Sequence, residues 1–270
     1  DPVAAELTGA LHGLRCRAGG RAAHTRTPPA REPSEPCGGN LETMNRKQPG
    51  MRFEEERGRP APAPIQVEPA LIPGNSDRFK RQVEFLLEID RLKHIFRQTI
   101  LLDRSRHENS VEHSWHIAMS VMIFAEYADT SGADMGRVIR MLLLHDLVEI
   151  DAGDTYCYDE QAGIDQHERE RRAADRIFGL LPRDQALDFR RLWDEFEDAG
   201  TPEAHYAHAM DRFQAFLHNY FTQGRMWRRH GIRRHQVIRR MQPVERGAPL
   251  LWDYVQTLID DAVLKGYLLP

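Results

Sequence analysis

The 270-residue chain lacks the features that define several large protein classes. It has three cysteines, Cys16, Cys37 and Cys157, and no Cys-x-x-Cys pair, which argues against a disulfide framework and a cysteine zinc site. No apolar run approaches the roughly 18 residues of a membrane-spanning helix. The 37 basic and 41 acidic side chains leave no electrostatic footprint for nucleic acid. We therefore expect a soluble, cytoplasmic protein that binds neither membranes nor nucleic acid.

The first 75 residues lack aromatic side chains apart from Phe53, although they hold 11 of the 16 prolines and 9 of the 19 glycines. A segment of this composition cannot bury enough apolar surface to offset the entropy that it loses on ordering. The apolar stretch Leu7–Leu14 is too short for a secretory signal. We interpret residues 1–75 as a disordered leader without chemistry and place a single domain at 76–270.

From residue 77 onward, apolar residues recur every three or four positions, which is typical of amphipathic helices, and strand alternation is absent. Pro182, Pro202 and Pro249 mark helix starts. We predict an all-α fold, a single bundle of seven or eight helices with 135–150 as its central buried helix. The predicted helices are Phe79–Gln98, Val111–Tyr127, Met135–Ile150, and roughly 159–180, 183–198, 202–222, 233–241 and 247–266.

The most apolar predicted helix contains a group of polar residues, His145, Asp146 and Glu149. Burying an unpaired carboxylate costs several kcal/mol, so the two acidic side chains must be paired, hydrogen-bonded or metal-bound. His145 and Glu149 share a helix face, because they are four positions apart. A helix end at which His145 and Asp146 meet solvent explains the dipeptide equally well.

Three further polar residues stand in apolar helical segments: His113, His116 and Asp211. Taken singly, each is better explained by the helix packing. The histidines would be hydrogen-bonded core residues, and Asp211 would form a salt bridge with Arg212 or Arg191. Their order along the chain, together with the His-Asp pair, is more informative than any one of them.

The set His113, His145-Asp146 and Asp211 resembles the H…HD…D signature of the HD-domain metal-dependent phosphohydrolases. The similarity is closest to the branch that includes bacterial 5′-deoxynucleotidases, and it covers roughly residues 77–267. It extends through Arg91–Arg97, Arg106–His113, His145–Glu149 and Gly153-Asp154.

This resemblance implies a hydrolase of small-molecule phosphate monoesters, with a (deoxy)nucleoside 5′-monophosphate as the leading substrate, and a homodimer. It also implies one divalent metal ion. Mixed imidazole and carboxylate ligands suit Mn, Co, Fe, Ni or Zn better than Mg. The implied metal ligands are His113, His145, Asp146 and Asp211.

The resemblance also implies roles for three residues around the metal. Glu149 orients or deprotonates water, Asp154 lies at the sugar end of the substrate, and Arg97 binds its phosphate. The deoxynucleotidases of this branch carry a tryptophan after that arginine, which crowds a ribose 2′-hydroxyl. This chain has Gln98 there, which leaves open both the sugar selectivity and the preference for nucleotides.

Several alternatives stay open. A binuclear site would recruit His167, His205 or His208, and the substrate could be a non-nucleotide phosphate ester or a phosphodiester. The domain could also bind nucleotides without catalysis. The segment Arg225–His235, with Arg239-Arg240, is basic and contains one tryptophan, a composition that could bind RNA. A solvated connection between helices explains it better. Three further aromatic residues belong to the core or to a dimer surface: Trp193, Trp252 and Tyr254.

Overall fold

A computed structural model describes residues 62–68, 76–129, 132–159, 161 and 164–270. The predicted leader falls outside these residues except for 62–68, which have no regular secondary structure. The rest of the described chain is mainly helical, as predicted, with eight helices of ten residues or more and one small two-stranded sheet in this part. The α-helices are α1 (Asp77–Glu88), α2 (Ser110–Phe124), α3 (Met135–Leu144), α4 (Glu149–Ala152), α5 (Gln166–Phe178), α6 (Arg183–Asp198), α7 (Pro202–Phe221), α8 (Arg225–Arg229), α9 (Arg234–Gly247) and α10 (Pro249–Leu264).

Side-chain caps and prolines fix the starts of the helices. The Asn109 side chain accepts a hydrogen bond from the Glu112 amide, and the Glu112 side chain accepts one from the Asn109 amide, so α2 begins with a capping box. Thr201 caps α7 by accepting from the Ala204 amide. Pro202 and Pro249 occupy first-turn positions, where a missing N–H costs nothing. The helix starts predicted at these two prolines are confirmed.

Helix α7 lies at the centre of the bundle and packs against α2, α3, α6 and α9. Its core side chains include Tyr206, Met210 and Phe213, which are at most 2% exposed. Trp193 and Trp227 are each 1% exposed. Burial of Trp227 removes the aromatic face that RNA binding by the basic segment would need. Among the described residues, no helix is long and apolar enough to cross a membrane.

The predicted helix Phe79–Gln98 is wrong over its second half. Helix α1 ends at Glu88, a 3₁₀ segment follows over Ile89–His94, and Phe96–Ile100 forms strand β1. This strand pairs antiparallel with β2, His107–Asn109, with Ile100 opposite His107. The buried residues of β2 are polar, so the pair has no apolar alternation to detect in the sequence.

The predicted helix Met135–Ile150 is also interrupted. Helix α3 ends at Leu144, residues His145–Val148 form a 3₁₀ turn, and α4 follows. Nδ1 of His145 donates to the Leu142 carbonyl at 2.8 Å, so this side chain bonds to the backbone where α3 ends. The interruption lies at the polar residues that the sequence singled out.

The C-terminal part differs from the prediction in two ways. The short helix α8 was missed, because its buried Met226 and Trp227 stand among arginines. Helix α9 was predicted to end at 241, but it continues through Pro243 to Gly247. Proline removes one backbone donor without ending this helix, which is held by its long contact with α7.

Candidate functional site

The four residues predicted as metal ligands come from three elements of the core. His113 lies in α2, His145 and Asp146 begin the 3₁₀ turn after α3, and Asp211 lies in α7. All four are buried, with exposures of 6% or less. Because α2, α3 and α7 pack on one another, residues 98 positions apart in sequence meet in space.

The fold places the potential ligand atoms close together. One nitrogen of His113, one nitrogen of His145 and one oxygen of Asp146 all lie within 4.8 Å of one another. Nε2 of His113 is 3.0 Å from Oδ1 of Asp211, and Nε2 of His145 is 2.9 Å from Oδ1 of Asp146. The structure thus brings together the four residues that the sequence selected.

Hydrogen bonds at the other ring nitrogens hold both imidazole rings in place. Nδ1 of His113 donates to Oε1 of Gln214 at 2.9 Å, and Nδ1 of His145 donates to the Leu142 carbonyl. A neutral imidazole with its proton on Nδ1 presents a lone pair at Nε2. Nε2 of His145 is buried and faces Oδ1 of Asp146. Two imidazole nitrogens that face carboxylate oxygens form a mixed nitrogen and oxygen donor set, so these residues suit the implied metal ion.

Both carboxylates of this group are held in their charged form. Burial by itself raises the pKa of Asp146, but His145 and Arg97 outweigh it and hold that pKa well below its usual range. Burial is likewise outweighed at Asp211, whose pKa is lowered by Arg212 and His113. Two anionic carboxylates beside two imidazoles favour a divalent cation over a neutral ligand.

Arg97 reaches the same group from strand β1. Its Nη1 donates to Oδ2 of Asp146 at 2.6 Å and lies 3.9 Å from Oε1 of Glu149. Burial disfavours the charge on Arg97, but the surrounding carboxylates, Asp146 first among them, outweigh burial and raise its pKa. The result is a permanently charged guanidinium beside the metal ligands, a group suited to a dianionic phosphate.

Glu149 is the first residue of α4 and is 8% exposed. The Ser110 hydroxyl donates to its Oε2 at 2.6 Å. Burial is the main cause that raises the pKa of Glu149, followed by the charges of Asp146 and Asp154. A carboxylate with a raised pKa is a better proton acceptor than an ordinary glutamate. Ser110 carries no sequence signal of this contact, because a serine at a helix start is ordinarily a capping residue.

A cavity of about 350 Å³ opens beside these residues. Its wall includes Arg97, Asp146, Glu149 and Asp154. Asp154 follows Gly153, whose φ of +75° lets the chain turn into the wall without strain. The volume falls within the range of roughly 300–1,000 Å³ that small-molecule sites occupy. The structure thus places all seven predicted site residues at or beside one cavity.

Similarity to known proteins agrees with this geometry. A family model described as HD domain matches residues 89–252, which is more than half of the chain and includes every residue of the site. The chain belongs to the HD domain family. The match confirms the family resemblance that the sequence motifs indicated.

Relatives of this HD domain include a solved structure from Magnetospirillum magnetotacticum MS-1, described as a predicted metal-dependent phosphohydrolase. It is 50% identical, with a TM-score of 0.70, and the match covers 74% of this chain and 100% of that one. The human and mouse proteins named 5′-deoxynucleotidase HDDC2 are 28% and 29% identical over 136 and 140 residues. These matches cover 50% and 52% of this chain and 65% and 66% of those proteins, slightly less than two thirds of their length.

Two arginines that the sequence prediction left out also line the cavity of this HD domain. Arg212 donates to Oδ2 of Asp211, the salt bridge that the sequence suggested as an alternative explanation for Asp211. Burial and then the like charge of Arg240, in α9, lower the pKa of Arg212. Neighbouring positive charges in a cavity wall favour an anionic ligand. Arg240 was missed because the sequence placed it in a solvated basic segment.

The histidines of the binuclear alternative do not form a ligand set in the described part of the chain. Nε2 of His208 donates to the Phe196 carbonyl at 2.7 Å, and its ring stacks on the Phe196 ring. Burial lowers the pKa of His208 to about 4. His167 and His205 belong to none of the three-residue groups of metal-capable atoms found there. We therefore retain the set of two histidines and two aspartates.

Proposed function

We propose that this HD-domain protein is a metal-dependent phosphohydrolase that cleaves phosphate monoesters, with nucleoside 5′-monophosphates as the leading substrates. The observation that carries the proposal is the convergence of two buried imidazoles and two ionised aspartates on one cavity. The names of the Magnetospirillum and vertebrate relatives support the same reaction class.

His113, His145, Asp146 and Asp211 would hold one divalent ion. Imidazole and carboxylate ligands together suit Mn, Co, Fe, Ni or Zn better than Mg. When bound, such an ion acidifies a water molecule and offsets negative charge that develops on a phosphoryl group.

The remaining residues position the water and the ester. Glu149 accepts a proton from the attacking water, and Ser110 keeps its carboxylate aimed into the site. Arg97 binds phosphate oxygens with its guanidinium, and Arg212 adds a second positive charge to the same wall. Asp154 accepts a hydrogen bond from a sugar hydroxyl.

The sugar preference of the site depends on Gln98. Its side-chain oxygen is buried, has no hydrogen-bond partner, and lines a smaller adjoining cavity of about 80 Å³ together with Arg97 and Asp154. An acceptor without a partner in this position favours a substrate that donates a hydroxyl. We therefore extend the proposal to ribonucleotides as well as deoxyribonucleotides.

The test is phosphate release from a panel of ribo- and deoxyribonucleoside 5′-monophosphates and of sugar phosphates. The protein is first treated with a chelator, and Co²⁺, Mn²⁺ or Mg²⁺ is then added. We expect metal-dependent release that is lost in His145→Ala and Asp146→Ala and kept in the exposed-histidine control His235→Ala.

Two other outcomes would redirect the proposal. Release from sugar phosphates alone would support the hydrolase activity and exclude nucleotides as its substrates. A folded protein that binds metal but releases phosphate from no ester would exclude the phosphomonoesterase, whereas a protein that binds no metal would favour a nucleotide-binding module.

A further inference from the structure

A second group of metal-capable side chains lies behind His113, on the side away from the proposed HD metal. Glu108 of β2, His116 of α2 and His218 of α7 place one ligand atom each within 4.8 Å of one another. We name these three residues the outer cluster. Glu108 is 1% exposed and His218 is 5% exposed. None of the three belongs to the HD ligand set.

One amide group lies among the three ligand atoms. Nε2 of Gln214 is 2.8 Å from Oε1 of Glu108, 3.2 Å from a ring nitrogen (Nδ1) of His116 and 3.1 Å from one (Nε2) of His218. A carboxamide nitrogen carries two hydrogens. Two hydrogens cannot serve three neighbours, so at most two of these contacts are hydrogen bonds donated by Gln214.

A hydrogen bond at the far side of the His218 ring makes its other nitrogen a hydrogen-bond acceptor. Nδ1 of His218 donates to the Ile100 carbonyl at 3.1 Å, so its Nε2 presents a lone pair to the cluster. Nδ1 of His116 faces the same amide group. Both imidazoles thus place a ring nitrogen against the same amide nitrogen of Gln214, close enough together to bind one ion.

Glu108 supplies the second, independent observation. Its Oε2 is buried and has no hydrogen-bond partner. The nearest basic atom is Nδ1 of His113 at 3.7 Å, and that nitrogen already donates to Gln214. A buried carboxylate oxygen without a donor costs free energy that a cation recovers.

We propose that the outer cluster binds a second divalent transition-metal ion, with Glu108, His116 and His218 as ligands. Two imidazoles and one carboxylate suit Zn²⁺, Co²⁺ or Ni²⁺. Ligand bonds of roughly 2.0–2.2 Å are shorter than the present contacts to Gln214. The ion therefore takes the place of the Gln214 amide nitrogen. Since Gln214 also accepts the His113 proton, occupancy of the outer cluster changes the support of an HD ligand.

The test counts bound metal and does not use activity. Chelator-treated protein is loaded with Zn²⁺, desalted and analysed by mass spectrometry for equivalents per chain. We expect two equivalents in the wild type and one in the double variant His145→Ala, Asp146→Ala. We also expect one in His218→Leu, none when all three substitutions are combined, and two in the exposed-histidine control His235→Ala.

Circular dichroism establishes that each variant is folded, and His116→Gln replaces His218→Leu if the latter does not fold. Cobalt absorption of the His145→Ala, Asp146→Ala protein should show a bound ion that the added His218→Leu substitution removes. The proposal is overturned if that double variant binds no metal, or if His218→Leu and His116→Gln both retain two equivalents. If the wild type binds a single ion that the His145→Ala, Asp146→Ala variant retains and His218→Leu loses, the outer cluster binds metal and the proposed function fails instead. The two failures are therefore distinguishable.

Discussion

The hydroxyl of Ser110 donates a 2.6 Å hydrogen bond to Oε2 of Glu149, and both side chains are buried. Ser110 begins α2, three residues before His113, and Glu149 begins α4, three residues after Asp146. The contact therefore joins the two segments that carry three of the four proposed ligands. It also opposes the effects of burial and of neighbouring carboxylates, which raise the pKa of Glu149.

Removing this contact should change how activity depends on pH. The Ser110 hydroxyl lowers the pKa of Glu149, so Ser110→Ala raises that pKa further. A base must be deprotonated to act, and activity is lost as pH falls through its pKa. We expect the acid limb of the kcat profile to move to higher pH, with KM nearly unchanged. Ser114→Ala, which removes a buried hydroxyl that bonds only to the Ser110 carbonyl, is the control and should leave the limb in place.

Replacement of the base itself separates catalysis from metal binding. Glu149→Gln keeps the size of the side chain but cannot accept the proton from water. Because general bases contribute about 10²–10⁴-fold, we expect kcat to fall at least about 100-fold. Metal content should stay the same, because Glu149 is outside the ligand set. Glu170→Gln, another carboxyl in the cavity wall, should lose much less. Equal losses in the two variants would remove Glu149 from the role of base.

Metal binding should appear as thermal stabilisation. A ligand at 100 times its Kd adds about 2.7 kcal/mol to the folded state. In a domain of this size, 1 kcal/mol corresponds to roughly 2–4 °C in Tm. We expect Co²⁺ to raise the Tm of chelator-treated protein by several degrees. The increase should be smaller in Asp146→Ala and unchanged in Asp253→Ala, an exposed carboxylate on α10. An equal increase in both variants would place the stabilising ion elsewhere.

The sequence predicts helices correctly where apolar residues recur periodically, and it selects candidate site residues where polar residues follow a recognisable order along the chain. Helix α7 shows this, because Thr201 and Pro202 define its start and its apolar spacing defines its length. The proposed ligands were selected by their order along the chain, which resembles the signature of a known family, although each is a polar residue in an apolar segment. Burial makes such residues conspicuous even before their partners are known.

Contacts between distant segments left no such signal. Gln214 supports His113 from 101 positions away, and a glutamine in an amphipathic helix has nothing to distinguish it. The buried residues of strand β2, His107 and Glu108, are polar and bond to other buried groups, so an apolar pattern cannot reveal the strand. Arg240 stood among solvated arginines, and only the packing of α9 on α7 places it beside the cavity.

Sugar selection should respond to the residue after Arg97. Gln98→Trp adds a ring to a cavity of about 80 Å³, where it would crowd a 2′-hydroxyl. We expect kcat/KM for ribonucleotides to fall at least 10-fold relative to deoxyribonucleotides. Gln98→Met removes the carboxamide at similar size and should cost ribonucleotides about 3–10-fold, the value of one hydrogen bond. The comparison is made by competition between the two sugars. Parallel losses for both would mean that residue 98 does not contact the sugar.

Two glycines with the same backbone conformation test the packing of the C-terminal segment. Gly224 and Gly231 have φ of +63° and +61°, which costs any other residue about 1–2 kcal/mol. A Cβ at Gly224 would lie 2.1 Å from the Tyr267 carbonyl oxygen, whereas one at Gly231 would meet no atom within 4 Å.

Alanine at the two positions should therefore differ in cost. We expect Gly231→Ala to lower the free energy of unfolding in urea by about 1 kcal/mol, and Gly224→Ala by at least about 3 kcal/mol. The difference measures the overlap with Tyr267 alone, because the strain of the left-handed conformation is common to both. If the two losses were equal, the segment around Tyr267 would not be packed against the start of α8.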